Sequence, residues 1–305
     1  KNTVSSGLTN NYNITYTDSF AINKADLTYV AKGTRVYGEA NSTTGKDYSF
    51  TFDGLKNGQT IDGAKLTVTN NTSIQANAGS NQTVASASGF NASGSTGFKE
   101  SNYNITTVEA NNKYTITPAS LTINIDGSRI YGDSNDTSDY NYSAASGLKT
   151  WDQTKFNNVG WDGLTVQNTS GQQDNVGNYT GKLNLDTASK NTVSSGLTNN
   201  YNITYTDSFD IEKRKLNYDI SGERQYGTGN EHTTYQPIIL DGITSWDQNA
   251  FTNAANITNT ADRTTAVGQH TDKLSVDFNS LTAAQLNNYE IDGTGTLNIV
   301  KANFI

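Results

Sequence analysis

The residue types that catalyse reactions are few in this chain. There are two histidines, His232 and His270, and no cysteine. A hydrolytic triad needs a histidine or lysine beside a nucleophile, with a carboxylate behind it, and the abundant serines give such matches by chance. No phosphate-binding loop, dinucleotide fingerprint or His-Glu-x-x-His motif is present. The sequence therefore predicts a protein that is not an enzyme and needs no cofactor, and without cysteine it has neither disulfides nor thiolate metal sites.

One oxygen-rich segment, 133–139, has the residue types of a calcium site. Carboxylates and carbonyl oxygens are the ligands that Ca²⁺ prefers, and the segment offers Asp133, Asn135, Asp136 and Asp139. It lacks the spaced glycine and the terminal glutamate of an EF-hand loop. Because the segment is also not repeated elsewhere, the sequence favours a solvated turn over a calcium site.

Three arginines recur in a fixed context, the pattern G-x-R-x-Y-G. The pattern occurs at 33–38, 127–132 and 222–227, about 95 residues apart. Arg35, Arg129 and Arg224 would either contact a sugar or carboxylate ligand in each copy, or bond loop carbonyls and pack their stems over a tyrosine. Because they recur together with a Tyr-Gly turn, the structural role is favoured.

Two tryptophans also occupy equivalent places. Trp151 and Trp246 each follow a Thr or Ser, precede Asp-Gln, and stand five residues before a phenylalanine. The pattern predicts a capping box and a short helix, with the indole packed in the core. The alternative is that these rings, together with Trp161, stack on sugars. We favour core packing because the first copy has no tryptophan at this place.

These residues belong to a tandem repeat. Twenty consecutive residues at 1–20 recur without change at 190–209, as expected for an array in which each unit meets the same neighbours. The predicted layout is a remnant of a preceding unit (1–22), module 1 (23–117), module 2 (118–212), module 3 (213–300) and the start of a further unit (301–305). The fourth unit would open at Phe304.

Alternating apolar residues predict that the modules are mainly β. Each module opens with a strand in which Leu27, Leu121 or Leu216 faces the core. Each closes with a predicted hairpin, whose turn falls at 206–208 in module 2 and at 292–295 in module 3. Further capping patterns, such as 282–285, predict one or two short helices per module. Only a few residues separate the modules, which predicts an elongated rod of three modules of about 90–95 residues each.

Composition limits the partners. The net charge is −8, so no basic surface is available for nucleic acid or an anionic membrane. No apolar run is long enough to span a bilayer. Seventeen tyrosines and ten phenylalanines supply thin cores despite a hydrophobic content of 33%. Such an acidic, cysteine-free chain is typical of bacterial secretion and the cell surface.

The order of motifs resembles the MBG and YDG repeats of large bacterial adhesins. The matching segments are Tyr37-Gly38, 54–60, 102–105, 115–119 and 176–179, and the family's Tyr-Gly-Asp stands complete at 131–133. These repeats occur in tandem in filamentous-haemagglutinin-like proteins of Gram-negative bacteria.

The resemblance implies a secreted surface adhesin whose modules form a stalk. Its partners would be neighbouring repeats and a host-cell or matrix surface. The alternative is that the modules bind host or matrix glycans, such as mucins, directly and gain affinity from their number.

Overall fold

The computed structural model describes residues 12, 13, 15, 17–82, 84, 86–91, 94–137 and 139–303. The chain forms two compact units, 1–119 and 120–305. Strands account for 41% of the residues and helices for 18%, which confirms the predicted mainly β class. The range predicted as module 1 falls in the first unit. The ranges predicted as modules 2 and 3 share the second unit, apart from residues 118 and 119.

Module 1 contains a five-stranded sheet and a separate two-stranded sheet. The strands are β1 Ala25–Val36, β2 Tyr48–Asp53, β3 Thr67–Thr69, β4 Gly79–Gln82, β5 Ser86–Ser88, β6 Tyr103–Thr107 and β7 Tyr114–Thr117. The main sheet has the order β2-β1-β7-β4, with β6 also paired to β1, and β3 pairs with β5. A buried cluster fills its core: Leu27, Tyr29, Leu66, Phe90, Phe98 and Tyr103. Where the structure describes this module, its helices are three-residue 3-10 turns, so a short α-helix is not found there.

Module 2 contains a four-stranded sheet, a two-stranded sheet and two helices. Its elements are β8 Ala119–Ile130, β9 Asp139–Ser146, α1 Gln153–Asn157, β10 Val166–Asn168, β11 Gly177–Tyr179, β12 Leu183–Leu185, α2 Thr187–Gly196 and β13 Tyr201–Glu212. The main sheet has the order β11-β13-β8-β9, and β10 pairs with β12. Helix α2 was not predicted. Its N-terminus is capped by the Asp186 side chain, which accepts from the Ser189 N–H.

Module 3 repeats this plan. Its elements are β14 Arg214–Gln225, β15 Thr234–Tyr235, β16 Ile239–Asp241, α3 Gln248–Ala254, β17 Asn256–Asn259, β18 Gly268–His270, β19 Leu274–Asp277, α4 Ala283–Asn287 and β20 Tyr289–Val300. The main sheet has the order β15-β14-β20-β18, with β16 also paired to β14, and β17 pairs with β19. The capping box predicted at 282–285 is confirmed at the start of α4.

The first and last strands of a module lie side by side. In module 3, β14 and β20 pair in parallel along twelve residues each, and in module 1, β6 and β7 both run parallel to β1. The tyrosine after each opening strand donates its backbone N–H to the last residue of the closing strand. These bonds are Tyr37 to Thr117 at 2.8 Å, Tyr131 to Glu212 at 2.8 Å and Tyr226 to Val300 at 2.9 Å. The opening and closing strands therefore end at the same end of the sheet.

The hairpin predicted at the end of each module is wrong. In modules 2 and 3, β13 and β20 are continuous strands, and in module 1, β6 and β7 both run parallel to β1. In module 2, the supposed turn residue Asp207 uses its carboxylate to accept from the backbone N–H groups of Gly181, Lys182 and Leu183, at 2.8, 2.8 and 3.0 Å. The aspartate thus serves a neighbouring loop and does not reverse the chain.

The glycines of the supposed turn in module 3 have a different role. A Cβ at Gly293 would lie 2.4 Å from the Tyr218 ring, and one at Gly295 would lie 2.2 Å from the Leu274 carbonyl oxygen. Close approach by side chains and backbone therefore requires glycine on this strand.

The structure describes only part of the predicted remnant at 1–22. Residues 1–11, 14 and 16 lie outside the described residues, as does Phe304, the predicted start of a fourth unit. Residues 12, 13, 15 and 17–24 belong to no strand.

The apolar face predicted for the opening strands is largely confirmed. Leu27 and Ile123 have exposed fractions of 0%, and Leu216 also is 0% exposed. Tyr218, on the same face of β14, is half-buried. The closing strands carry a weaker apolar face, because the isoleucine two residues after the tyrosine that begins β6, β13 or β20 is half-buried: Ile105, Ile203 and Ile291.

We expect Gly147→Ala to destabilise unit 2 more than Gly160→Ala does. Both glycines have left-handed backbones, with φ of +89° and +84°, so alanine costs about 1–2 kcal/mol at either. At Gly147 a Cβ would also lie 2.1 Å from the Ser120 carbonyl oxygen, whereas at Gly160 it meets open space. Urea denaturation should show a loss of about 3 kcal/mol or more for Gly147→Ala. Equal losses for the two variants would contradict the role of this contact.

Candidate functional site

The three repeated arginines bind their own modules. Arg35, Arg129 and Arg224 have exposed fractions of 6%, 4% and 3%. Arg35 donates from Nε to Asn41 Oδ1 at 2.9 Å and from Nη2 to the Ser73 carbonyl at 2.6 Å. Each guanidinium therefore fastens the opening strand to loops of the same module.

The oxygen-rich segment 133–139 takes part in this bonding. Asn135 Oδ1 accepts from Arg129 Nε at 3.0 Å, and Asp133 Oδ1 accepts from Arg214 Nη1 at 2.7 Å. The other two calcium candidates are exposed: Asp136 and Asp139. Throughout the described part of the chain, no three His, Cys, Asp or Glu residues are grouped so as to hold a metal ion.

Module 3 departs from this arginine pattern. Arg224 donates to the carbonyls of Thr228, at 2.7 Å, and Asp262. Its Nε and Asn230 Oδ1 are both buried and have no hydrogen-bond partner among the described atoms. The Arg–Asn bond seen in modules 1 and 2 is therefore missing here.

The tryptophans are not buried beneath helices. Trp246 has an exposed fraction of 36%, so its predicted core position is wrong. Its ring meets that of Tyr131 edge-on, with centroids 6.3 Å apart, and its Nε1 donates to the Tyr131 hydroxyl at 3.1 Å. Trp151 is half-buried, and Trp161 stacks on Tyr142 at 4.7 Å within module 2. Trp246 thus packs across the junction of modules 2 and 3.

Asp247 is the centre of that junction. Its Oδ2 accepts from the hydroxyls of Tyr131 at 2.9 Å, Tyr289 at 2.8 Å and Thr244 at 2.9 Å. Tyr131 belongs to module 2 and the other two belong to module 3. Hydrogen bonds to an ionised carboxylate are stronger than neutral ones, so this oxygen fastens one module to the next.

Aromatic packing closes the space around Asp247. Tyr131 is 3% exposed, and its ring meets Tyr289 edge-on at 5.6 Å. Burial raises the pKa of Tyr131 and raises that of Tyr289 to about 12. Gly132, with φ of +84°, lies so close to Thr244 that a Cβ would be 2.5 Å from its methyl group. The Tyr-Gly turn therefore matches the surface of module 3 only with glycine in second place.

Polar contacts flank the aromatic centre on both sides. Arg214 Nη1 bonds Asp133 and, at 3.1 Å, the Tyr131 carbonyl. On the other side, Asn288, which is 2% exposed, accepts from the Val176 N–H at 2.9 Å and donates to Asn175 Oδ1 at 2.9 Å. The junction therefore combines a buried aromatic centre with hydrogen bonds at its sides.

Sequence reasoning missed Asp247, Tyr289 and Asn288 as junction residues. A signal was present, because an aspartate follows both equivalent tryptophans and an Asn-Tyr pair starts every closing strand. The partner of these residues is the Tyr-Gly turn, which the sequence pattern links only to the repeated arginines. Tyr131 and Asp247 are 116 residues apart, so local patterns do not pair them.

The histidines have local neighbours. His232 Nε2 lies 3.6 Å from Glu231 Oε1, and His270 Nε2 lies 2.8 Å from the Ala266 carbonyl oxygen. Among the described residues, no helix is long and apolar enough to cross a membrane.

No family model, curated protein or solved structure matches this chain. The function is therefore inferred from the sequence repeat and from the junction of modules 2 and 3.

We expect Tyr289→Phe to destabilise the protein and Tyr205→Phe to leave it unchanged or more stable. The Tyr289 hydroxyl donates to Asp247 and accepts from the Thr244 N–H, and losing a bond to a charged group costs about 1.5–3 kcal/mol. The Tyr205 hydroxyl is buried without a partner among the described atoms, so its removal leaves nothing unsatisfied. Urea denaturation followed by circular dichroism compares the two, and similar losses would refute the role of the Asp247 contacts.

The same tyrosine gives a prediction for alkaline pH. Burial raises the Tyr289 pKa from 10.0 to about 12, so folding favours the neutral phenol. The stability this contributes is complete below pH 10 and is lost as pH rises through 12. We expect the melting temperature to fall over this range, and to fall less in Tyr289→Phe. The exposed Tyr226 provides the matched control. The melting temperature of Tyr226→Phe should fall over this pH range as much as that of the unchanged protein.

Proposed function

We propose that this chain is part of the stalk of a secreted bacterial adhesin, extending the protein from the cell surface without catalysis. The observation that carries the proposal is the junction of modules 2 and 3. Strand β13 ends at Glu212 and β14 begins at Arg214, so a single residue connects the two modules. Tyr131 and Asp247 bond across that connection. Short connections with such contacts favour stiffness over free rotation.

The direction of the strands supports a rod as the arrangement. The opening and closing strands of a module run the same way, so the chain leaves a module at the end opposite to its entry. The following module therefore starts beyond the exit end of the module, and not beside the start of its opening strand. Repeated over many modules, this geometry lengthens the protein, and stability stays local because each module meets only its neighbours.

The surface location rests on the sequence. The chain has no cysteine and a net charge of −8, and its motifs resemble the MBG and YDG repeats of Gram-negative adhesins. The partners of the stalk would be neighbouring repeats and, through the whole adhesin, a host-cell or matrix surface.

A second candidate function is direct binding of host or matrix glycans. An open pocket of about 350 Å³ on module 3, lined by Tyr218, Ile239 and the carboxylates Asp219, Asp241 and Asp292, favours this function. Aromatic faces with flanking carboxylates suit sugar hydroxyls, and repeated weak sites would gain affinity from their number. Glycan-array binding that is lost in Tyr218→Ala would favour this function over the stalk.

Small-angle X-ray scattering and surface labelling test the proposed function. A compact chain of this length has a radius of gyration of about 19 Å, whereas three modules in line should give about 35 Å. Antibodies against this chain should label intact cells of the source organism. A radius near the compact value would refute the rod, and labelling only after lysis would refute the surface location.

A further inference from the structure

The last Tyr-Gly turn of the chain differs from the other two in its exposure. Tyr37 and Tyr131 have exposed fractions of 0% and 3%, whereas Tyr226 is 44% exposed. All three stand in the same G-x-R-x-Y-G pattern, and all three bond the closing strand through their backbone N–H. Tyr131 is buried because Trp246 and Tyr289 pack on it.

A second residue on the same end of module 3 is also exposed. Val267 is 45% exposed and stands where module 2 has Val176, whose N–H bonds Asn288. The Tyr226 N–H bonds Val300, and Gly268 pairs with Ile299. Tyr226 and Val267 therefore flank the end of β20 on its two neighbouring strands, about 10 Å apart at ordinary strand spacing.

We infer that this end of module 3, which we call the Tyr226–Val267 face, is a docking surface for a further module carrying a Trp-Asp pair. The inference continues the established junction, because the equivalent residues of module 2 dock module 3. The aspartate of the incoming module would accept a hydrogen bond from the Tyr226 hydroxyl. The indole N–H of that module would donate to the same hydroxyl. An incoming asparagine amide oxygen would accept from the Val267 N–H. The inference rests on the proposed repeat array but needs no cell surface.

The residues of the face also determine which module fits. Modules 2 and 3 carry the Trp-Asp pair, at 151–152 and 246–247, whereas module 1 has Gly58 and Gln59 at the equivalent places. A module of the module-1 type lacks both the indole donor and the carboxylate acceptor. Module 3 has Thr228 in place of Asp133, so docking on the Tyr226–Val267 face would proceed without the ion pair to Arg214.

An extended protein tests the inference. Residues 1–301 are followed by a second copy of 214–305, so that Lys301 takes the place of Lys213. The added copy carries Tyr226→Phe, which leaves one Tyr226 to be measured. Nitration by tetranitromethane, followed by mass spectrometry, should then be about tenfold slower at Tyr226 than in the 305-residue chain, because burial would reduce its exposure from 44% toward the 3% of Tyr131.

The matched control carries Trp246→Ala and Asp247→Ala in the added copy alone, and it should restore nitration of Tyr226. Hydrogen exchange of the added strands shows whether that copy is folded. The inference is overturned if Tyr226 stays reactive beside a folded copy, or if the control protects it equally. The inference is also overturned if nitration of Tyr226 in the 305-residue chain slows as the protein concentration rises, because a second chain would then be the occupant of the face.

Tyr131 separates this inference from the proposed function. Trp246→Ala in the original module 3 should make Tyr131 more reactive. If it does, and Tyr226 remains reactive in the extended protein, only the docking inference fails. If Tyr131 stays unreactive in that variant, the junction on which the proposed stalk rests fails as well.

Discussion

The parallel pairing of the first and last strands is the constraint on which each module depends. β14 and β20 stay in register over their whole lengths, and backbone bonds from Tyr131 to Glu212 and from Tyr226 to Val300 tie both strands at one end. The chain must leave the module at that end. The next module therefore begins beside the Tyr-Gly turn of the one before it, and that turn becomes half of the junction.

The buried contacts around Asp247 hold the junction more strongly than the exposed ion pair does. Of the three hydroxyl bonds that Asp247 accepts, the one from Tyr131 crosses the junction, beside the buried rings of Tyr131 and Tyr289, and a bond to a charged group contributes about 1.5–3 kcal/mol. The ion pair of Arg214 with Asp133 is 31% exposed on both sides, and exposed pairs typically contribute less than about 1 kcal/mol. The contacts of the aromatic centre thus contribute most of the free energy that holds the two modules together, and the ion pair contributes less.

Sequence patterns predicted the features that depend on nearby residues. The alternating face of β8 placed Ile123 in the core, and the Thr282 capping box starts α4. The errors involve partners far along the chain. The sequence predicts a turn at Asp207, whereas its carboxylate accepts from the backbone of the loop at 181–183. The sequence predicts a turn at Gly293, whereas this glycine makes room for the Tyr218 ring, 75 residues earlier in the chain. Trp246 packs on a tyrosine of another module, which a local pattern cannot identify.

The duplicated segment separates local preference from context. In the second copy, residues 201–209 lie in β13, between β8 and β11. In the first copy, the identical residues 12, 13, 15 and 17–20 belong to no strand. Their side chains are the same, so intrinsic β-propensity does not decide the outcome. A strand forms where neighbours bond its N–H and C=O groups, and β8 and β11 provide those neighbours in module 2. The closing strand β13 therefore forms because its neighbours, the parallel β8 among them, are present to bond its backbone.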